Sequence, residues 1–442
     1  MTTPHKHSFF PVPYCLELVC AGVLCAFMPS LVAAASKHAL DSQPQQRIAV
    51  APNHRGFERL PSRKAFYPWG FNYGSHGRLI EDFWVHHWST VARDFRNMRR
   101  LGANVVRVSL QYGKFMLAPD KPNPVSFKLL LRLLRLAETN RLHLDLTGLG
   151  CYRVSDTPKW YSVMNDRQRW SAQENFWRTI AATCARSHAV FCYDLINDPV
   201  VPGSRQKPGQ WQPKSSFGGY DFLQFITLNP GHAERPELAV RWINAMTRAI
   251  RSRDKKTLIT VGLLPWIPKW GWISGFIPRV IAPHVSFISI HIYPQSKDLN
   301  QAMDVLHRCA VGKPVVIEET FPLSCSAAQE RHFLLLRAAS PAVGWGIMTA
   351  GRCKIITSCP LNTASRSATR YTARLNRCLC NLNPILSGDN TGPGGTGRFI
   401  IPMSPAPAGQ SVQERVLNSR SFLPRAIRAD GGIREMIRTP SR

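Results

Sequence analysis

Between residues 65 and 348, short apolar runs alternate with longer amphipathic runs eight times. The apolar runs are 66–73 (FYPWGFNY), 104–109 (NVVRVS), 142–147 (LHLDLT), 189–195 (AVFCYDL), 257–262 (TLITVG), 286–291 (SFISIH), 314–318 (PVVIE) and 343–348 (VGWGIM). Helix-like stretches separate them at 81–101, 126–140, 171–187, 235–252, 298–309 and 326–339. In 126–140 (SFKLLLRLLRLAETN) leucines recur at helical spacing and basic residues take the other face. Repeated β-α units with strands apolar on both faces imply a parallel sheet. Eight such units match the size of a (β/α)8 TIM barrel, typically about 250 residues. An open doubly wound sheet is the alternative, but the glycine-rich GxGxxG turn usual after its first strand is missing.

Both ends of the chain differ from this middle. Lys6 and two histidines precede an apolar run from about Tyr14 to Ala35, which closes on Ala33-Ala34-Ala35-Ser36. That is the pattern of a cleaved export signal over 1–35, which implies a secreted, periplasmic or cell-envelope protein. Glu17 and Pro29 interrupt the run, so no stable membrane span is expected after cleavage. Residues 36–64 are polar and irregular and read as a linker. All twelve tryptophans lie at or before Trp345. Residues 346–442 carry thirteen Arg, one Lys and four acids, with no sustained period of 3.6 or 2. The stretch from 349 to 442 therefore reads as a basic disordered tail or as sequence translated from a shifted frame, which leaves the last β/α unit of the barrel incomplete or aberrant.

The formal net charge of +29 would ordinarily point to nucleic acid or another polyanion. About a third of the excess, however, +10, belongs to residues 346–442, and no RNP, zinc-finger or helix-turn-helix signature accompanies it. No nucleic-acid partner is expected.

In a barrel of this class the active site lies at the C-terminal ends of the strands. Those ends carry Asn72-Tyr73, Arg107, Asp145 and Thr147, Asn197-Asp198-Pro199, Trp266, His291 and Tyr293, and Glu318-Glu319. Each alone has a plain structural explanation. Asp198 can cap the turn before Pro199, and Arg107 and His291 can be satisfied core groups. Trp160 and Trp266 serve equally as sugar platforms or as packing. Together, carboxylates after the fourth and seventh strands would face one another across the rim among aromatic rings, as glycosidic bond cleavage requires. No metal-ligand spacing stands out, and this chemistry needs neither metal nor cofactor.

The segment 65–348 resembles glycoside hydrolase family 5, the cellulase and mannanase family. The resemblance rests on FCYDLINDPVVPG, where Asn197, Asp198 and Pro199 take the places of an Asn-Glu-Pro motif, and on GKPVVIEETFPL after the seventh strand. It also rests on His291-Ile292-Tyr293 after the sixth strand and on Arg107 in the second. It implies a retaining two-carboxylate hydrolysis of a β-linked glucan or mannan. Asp198 would be the acid/base, and Glu319, rather than Glu318, the nucleophile. Arg107, Asn197, His291, Tyr293, Trp160 and Trp266 would bind substrate or orient the carboxylates.

Three departures accompany the resemblance. Asp198 stands where the family has Glu, which shortens its reach by roughly 1.5 Å. Thr147 replaces a histidine, and no tryptophan follows Trp345. A non-catalytic carbohydrate-binding relative is the alternative they leave open.

Overall fold

A computed structural model describes residues 44–74, 78–213, 216–217, 220–264, 274–320, 322, 324–338 and 347–350. The expected export signal, Trp266, Trp345 and all but two residues of the expected tail lie outside the described residues.

Eight parallel strands close into a barrel. They are β1 (Trp69–Asn72), β2 (Val105–Gln111), β3 (His143–Gly150), β4 (Val190–Asn197), β5 (Leu258–Leu263), β6 (Ile288–His291), β7 (Val315–Thr320) and β8 (Ile347–Ala350). The order is sequential, and β8 pairs with both β7 and β1. β3 and β4 are buried along their whole length, as expected when one face meets the barrel interior and the other meets helices.

The helices are α1 (Trp88–Arg100), α2 (Pro124–Thr139), α3 (Asp166–Cys184), α4 (Arg235–Arg251), α5 (Leu299–Cys309) and α6 (Ala327–Ala338). Local chemistry sets their starts. Asn123 accepts from the Val125 N–H before Pro124 at the head of α2, and Asn165 and Gln168 form a capping box on α3. In α2, Phe127, Leu130, Leu133, Leu134 and Ala137 are buried, while Lys128, Arg132 and Arg135 are exposed. No helix among the described residues is long and apolar enough to cross a membrane.

The sequence expectation differs from the structure at two boundaries. Residues 44–64, read above as part of a linker, contain two strands, Arg47–Val50 and Phe57–Leu60, which pair antiparallel and continue to Ala65–Phe66. The side chains of Ile48, Phe57 and Phe66 form one buried cluster with Val105, Phe191, Cys192, Leu258, Phe287 and Val316. Four of these partners are first or second residues of barrel strands, so the small sheet floors the barrel. Phe57 meets Phe191 and Phe287 edge-on, each at 5.2 Å. Residues 343–346 of the expected eighth strand lie outside the described residues, and the strand runs two residues into the expected tail, because Thr349 and Ala350 pair with Phe71 and Asn72 of β1. The cysteines of the described barrel, Cys151, Cys184, Cys192, Cys309 and Cys325, are all free thiols.

Candidate active site

Strand pairing is irregular near the C-terminal ends of the barrel, between Ser109 and Gln111, Thr260 and Gly262, Ile290 and His291, and Ile317 and Thr320. Such irregularities re-aim side chains at barrel rims. In β7 they accompany two consecutive glutamates with different fates. Glu318 is fully buried, whereas the Glu319 side chain is 24% exposed.

Arg107 is the hub. It is 2% exposed and donates from Nη1 to Asn72 Oδ1 at 3.0 Å and to Glu319 at 3.2 Å. From Nη2 it donates to Asp194 and to Asn197 Oδ1, both at 2.9 Å, and Glu318 Oε2 lies 3.5 Å away. A planar guanidinium with five donors suits such a set of acceptors, and an ammonium would not reach them all. Asn72 returns its amide to the Glu318 carbonyl at 3.0 Å.

His291 joins the two sides of the rim. Its Nδ1 is 2.9 Å from Asp198 Oδ1 and 4.0 Å from Glu319 Oε2, so the two carboxylates are no further apart than those distances added together. Its Nε2 is 3.2 Å from Glu318 Oε2. Burial alone would lower the imidazolium pKa, but Asp198, Glu319 and the hydrogen bond that the ring donates to Glu318 raise it to about 10. Tyr293 donates its hydroxyl to Glu319 Oε1. Burial and the Glu319 charge push the Tyr293 phenol well above its ordinary value, so it stays a donor.

Asp198 has φ of 45°, in the left-handed region. Its amide donates to the Gly262 carbonyl at 3.0 Å, and its Oδ2 accepts from Asn197 Nδ2 at 3.1 Å. Asn197 is thus engaged at both ends, by Arg107 and by Asp198. Trp160 is half-buried, its ring leaning edge-on against Tyr112 and Tyr161, each at 5.9 Å. Among the residues read from the sequence, Asp198, Glu319, Arg107, Asn197, His291 and Tyr293 form one hydrogen-bonded group.

Three further residues belong to the same network. Asp194 is fully buried, accepts from Arg107, and takes the Gly262 N–H at 2.6 Å. Burial and Glu318 lift its pKa to about 7, against Arg107, which lowers it. Asp145 is pushed well above the carboxylate range by burial and by the charges of Glu318 and Asp194. Gly262 is required by space. A Cβ there would meet Glu318 Oε2 at 2.8 Å, Arg107 Nη2 at 3.1 Å and Asp194 Oδ2 at 3.1 Å. Thr147, at the place of the family histidine, is buried and pairs with Asp194 across β3 and β4. A lone charge inside an apolar strand was the signal available for Asp194, as it was for Asp145. Gly262 had none.

Oxygens of Asp145, Asp194 and Glu318 lie within 4.8 Å of one another, a donor set with the chemistry of a cation site. The cation between Asp194 and Glu318 is the guanidinium of Arg107. The arrangement that remains open to the barrel mouth is a pair of carboxylates with a tyrosine, an arginine and a histidine attached.

Comparison with solved structures gives this fold three representatives. Exo-beta-1,4-mannosidase Op5Man5 from Opitutaceae bacterium strain TAV5 aligns at 18% identity with a TM-score of 0.52, over 68% of this chain and 54% of that one. The beta-mannanase from the blue mussel Mytilus edulis aligns at 14% identity and 0.51, over 75% and 96%. GH5_18 from Streptomyces cattleya aligns at 16% identity and 0.51, over 72% and 80%. The chain thus spans about half the length of the first of these. Neither a family model nor a curated protein matches the sequence. The fold is that of these GH5 glycosidases in a divergent form.

Proposed function

We propose that this chain is a retaining glycoside hydrolase acting on a β-linked mannan or glucan, exported to the envelope or medium. One observation carries the reading. Glu319 is the more exposed carboxylate of the rim, oriented by Tyr293 and Arg107, and it shares His291 Nδ1 with Asp198, at 4.0 and 2.9 Å, an arrangement close enough to admit the roughly 5–5.5 Å of retaining enzymes. The fold shared with solved mannosidases and mannanases supports the substrate class.

In this scheme a Glu319 oxygen attacks the anomeric carbon while Asp198 protonates the departing glycosidic oxygen. A glycosyl-enzyme forms on Glu319. Water then gives a proton to Asp198 as its oxygen bonds the anomeric carbon and releases Glu319. Tyr293 and Arg107 hold the attacking carboxylate in a fixed orientation, so its geometry needs no reorganisation during reaction.

The test is covalent trapping. Incubation with activated 2-deoxy-2-fluoro mannoside and glucoside, followed by peptide mass mapping, is expected to place the sugar on Glu319. A label on Glu318, or turnover with inversion at the anomeric carbon, would refute the assignment.

A second reading follows from Asp198 itself. Both of its oxygens are engaged within the protein, and its side chain is 13% exposed. A non-catalytic carbohydrate-binding role predicts retardation in mannan or β-glucan gels with no trapping and no release of reducing sugar.

A further inference from the structure

Glu318 takes no part in the two-carboxylate scheme, yet it is fully buried beside the nucleophile and bonded to the ring of His291. Burial would raise its pKa, but Arg107 and His291 hold it down to about 2, so it is ionised. A carboxylate only accepts hydrogen bonds. His291 Nε2, 3.2 Å away, therefore carries a hydrogen whatever the state of the rest of the ring. The remaining freedom lies at Nδ1, which is 2.9 Å from Asp198 Oδ1.

The groups facing this imidazole come from several strands. Asp198 follows β4, Glu318 and Glu319 end β7, and Tyr293 follows β6 itself. Arg107 of β2, Asp145 of β3 and Asp194 of β4 stand behind Glu318. Five carboxyl groups and two cationic side chains share the upper barrel, and burial forbids leaving every acid charged.

On the premise that the chain is the retaining glycosidase described above, we propose that Asp198 and His291 form one acid/base unit holding a single shareable proton, with Glu318 as the positioning residue that fixes its tautomer. With the proton on Nδ1 the pair is an imidazolium and a carboxylate. With the proton on Oδ1 it is a neutral imidazole and a carboxylic acid. In the first half-reaction the Oδ1–H bond breaks and its proton goes to the glycosidic oxygen, whose bond to the anomeric carbon breaks. The pair is then a neutral imidazole facing a carboxylate, two lone pairs opposed, which favours taking a proton from water. In the second half-reaction water supplies that proton, its oxygen bonds the anomeric carbon, and Glu319 departs. The unit ends with the one proton it began with.

This unit makes a departure from ordinary behaviour measurable. A lone carboxyl acid loses its proton in the mildly acidic range, whereas this pair keeps one until His291 itself titrates. The basic limb of kcat/KM is expected in the alkaline range.

The experiment pairs two readouts on the full chain. Nitrogen NMR of 15N-histidine-labelled protein, with the resonance assigned by its loss in His291→Asn, reports tautomer and titration without activity. Native protein is expected to keep Nε2–H throughout and to titrate well above 6.5. Glu318→Gln, which keeps shape and removes charge, is expected to lower the midpoint by about one unit or more. It should move the basic limb of kcat/KM by the same amount. Asp198→Asn removes the other partner and is expected to lower the NMR midpoint too, which keeps the test open should Glu318→Gln not fold. Titration near 6.5, an Nδ1–H neutral tautomer, or a midpoint unmoved by either variant overturns the proposal. The expected titration in a native protein that hydrolyses no aryl glycoside or oligosaccharide overturns the glycosidase premise, and the catalytic role of the unit with it.

Discussion

Asp198 has one oxygen against His291 and the other against Asn197, so its proton and its position are controlled by separate neighbours. Asn at this position suits the same backbone conformation but has one accepting oxygen in place of two and no acidic proton to give. Asp198→Asn is expected to lower kcat/KM on unactivated oligosaccharides about 10²–10⁴-fold, the usual share of general acid–base catalysis, with azide restoring turnover of aryl glycosides that need no acid. Unchanged hydrolysis of oligosaccharides would remove Asp198 from the mechanism. At this scale the sequence was informative where a residue type is rare in its setting. An arginine in VVRVS and two glutamates closing PVVIEE are costly in an apolar strand unless they meet one another, and they do. Which of the two glutamates faces the mouth was open to alignment only. The register irregularity between Ile317 and Thr320 accompanies the difference.

Gly262 ties three elements together. Its N–H goes to Asp194 of β4, its carbonyl accepts from Asp198, and its missing side chain leaves room for Arg107 and Glu318. Gly262→Ala would place a methyl group 2.8 Å from a buried carboxylate oxygen. The charged network cannot yield without losing hydrogen bonds, so a loss of about 1–3 kcal/mol in urea unfolding is expected, together with reduced kcat. Equal stability and activity would show that the network has slack. Elements themselves were legible: helices α1 to α6 fall near the expected stretches to a few residues, because apolar periodicity marks them, with side-chain caps at the starts of α2, α3 and α5. The floor sheet was not. RIAV and FERL are four residues each and mix Arg and Glu with the apolar residues that turn inward, so neither shows a sustained alternation.

Across the whole molecule, polar and apolar interiors are segregated, with phenylalanines at the floor and titratable groups toward the strand ends. That arrangement has a pH signature. Burial raises Glu81 to about 8, Glu330 to about 7 and Asp194 to about 7. A folded-state pKa above the unfolded value means that the native state holds the proton more tightly, so the stability it contributes is lost as pH rises through the folded value. His291 acts in the same sense up to about 10. His143, lowered by burial to about 3, works oppositely, but only below the unfolded histidine range. Between about pH 6.5 and 8 the raised groups act without opposition from His143. The thermal midpoint measured by calorimetry is expected to fall across that interval, and a rise would contradict the buried protonated carboxyls.

The left-handed backbone at position 198 ties the side chain to the fold in which it sits. Among residues other than glycine, Asp, Asn and His adopt that conformation several-fold more readily than others. The immediately following Pro199 narrows the choice of backbone further. The aspartate that departs from the family pattern and the turn that carries it are therefore matched. A longer acid there would adopt this backbone less readily, so the reach lost to Asp198 is exchanged for an easier turn.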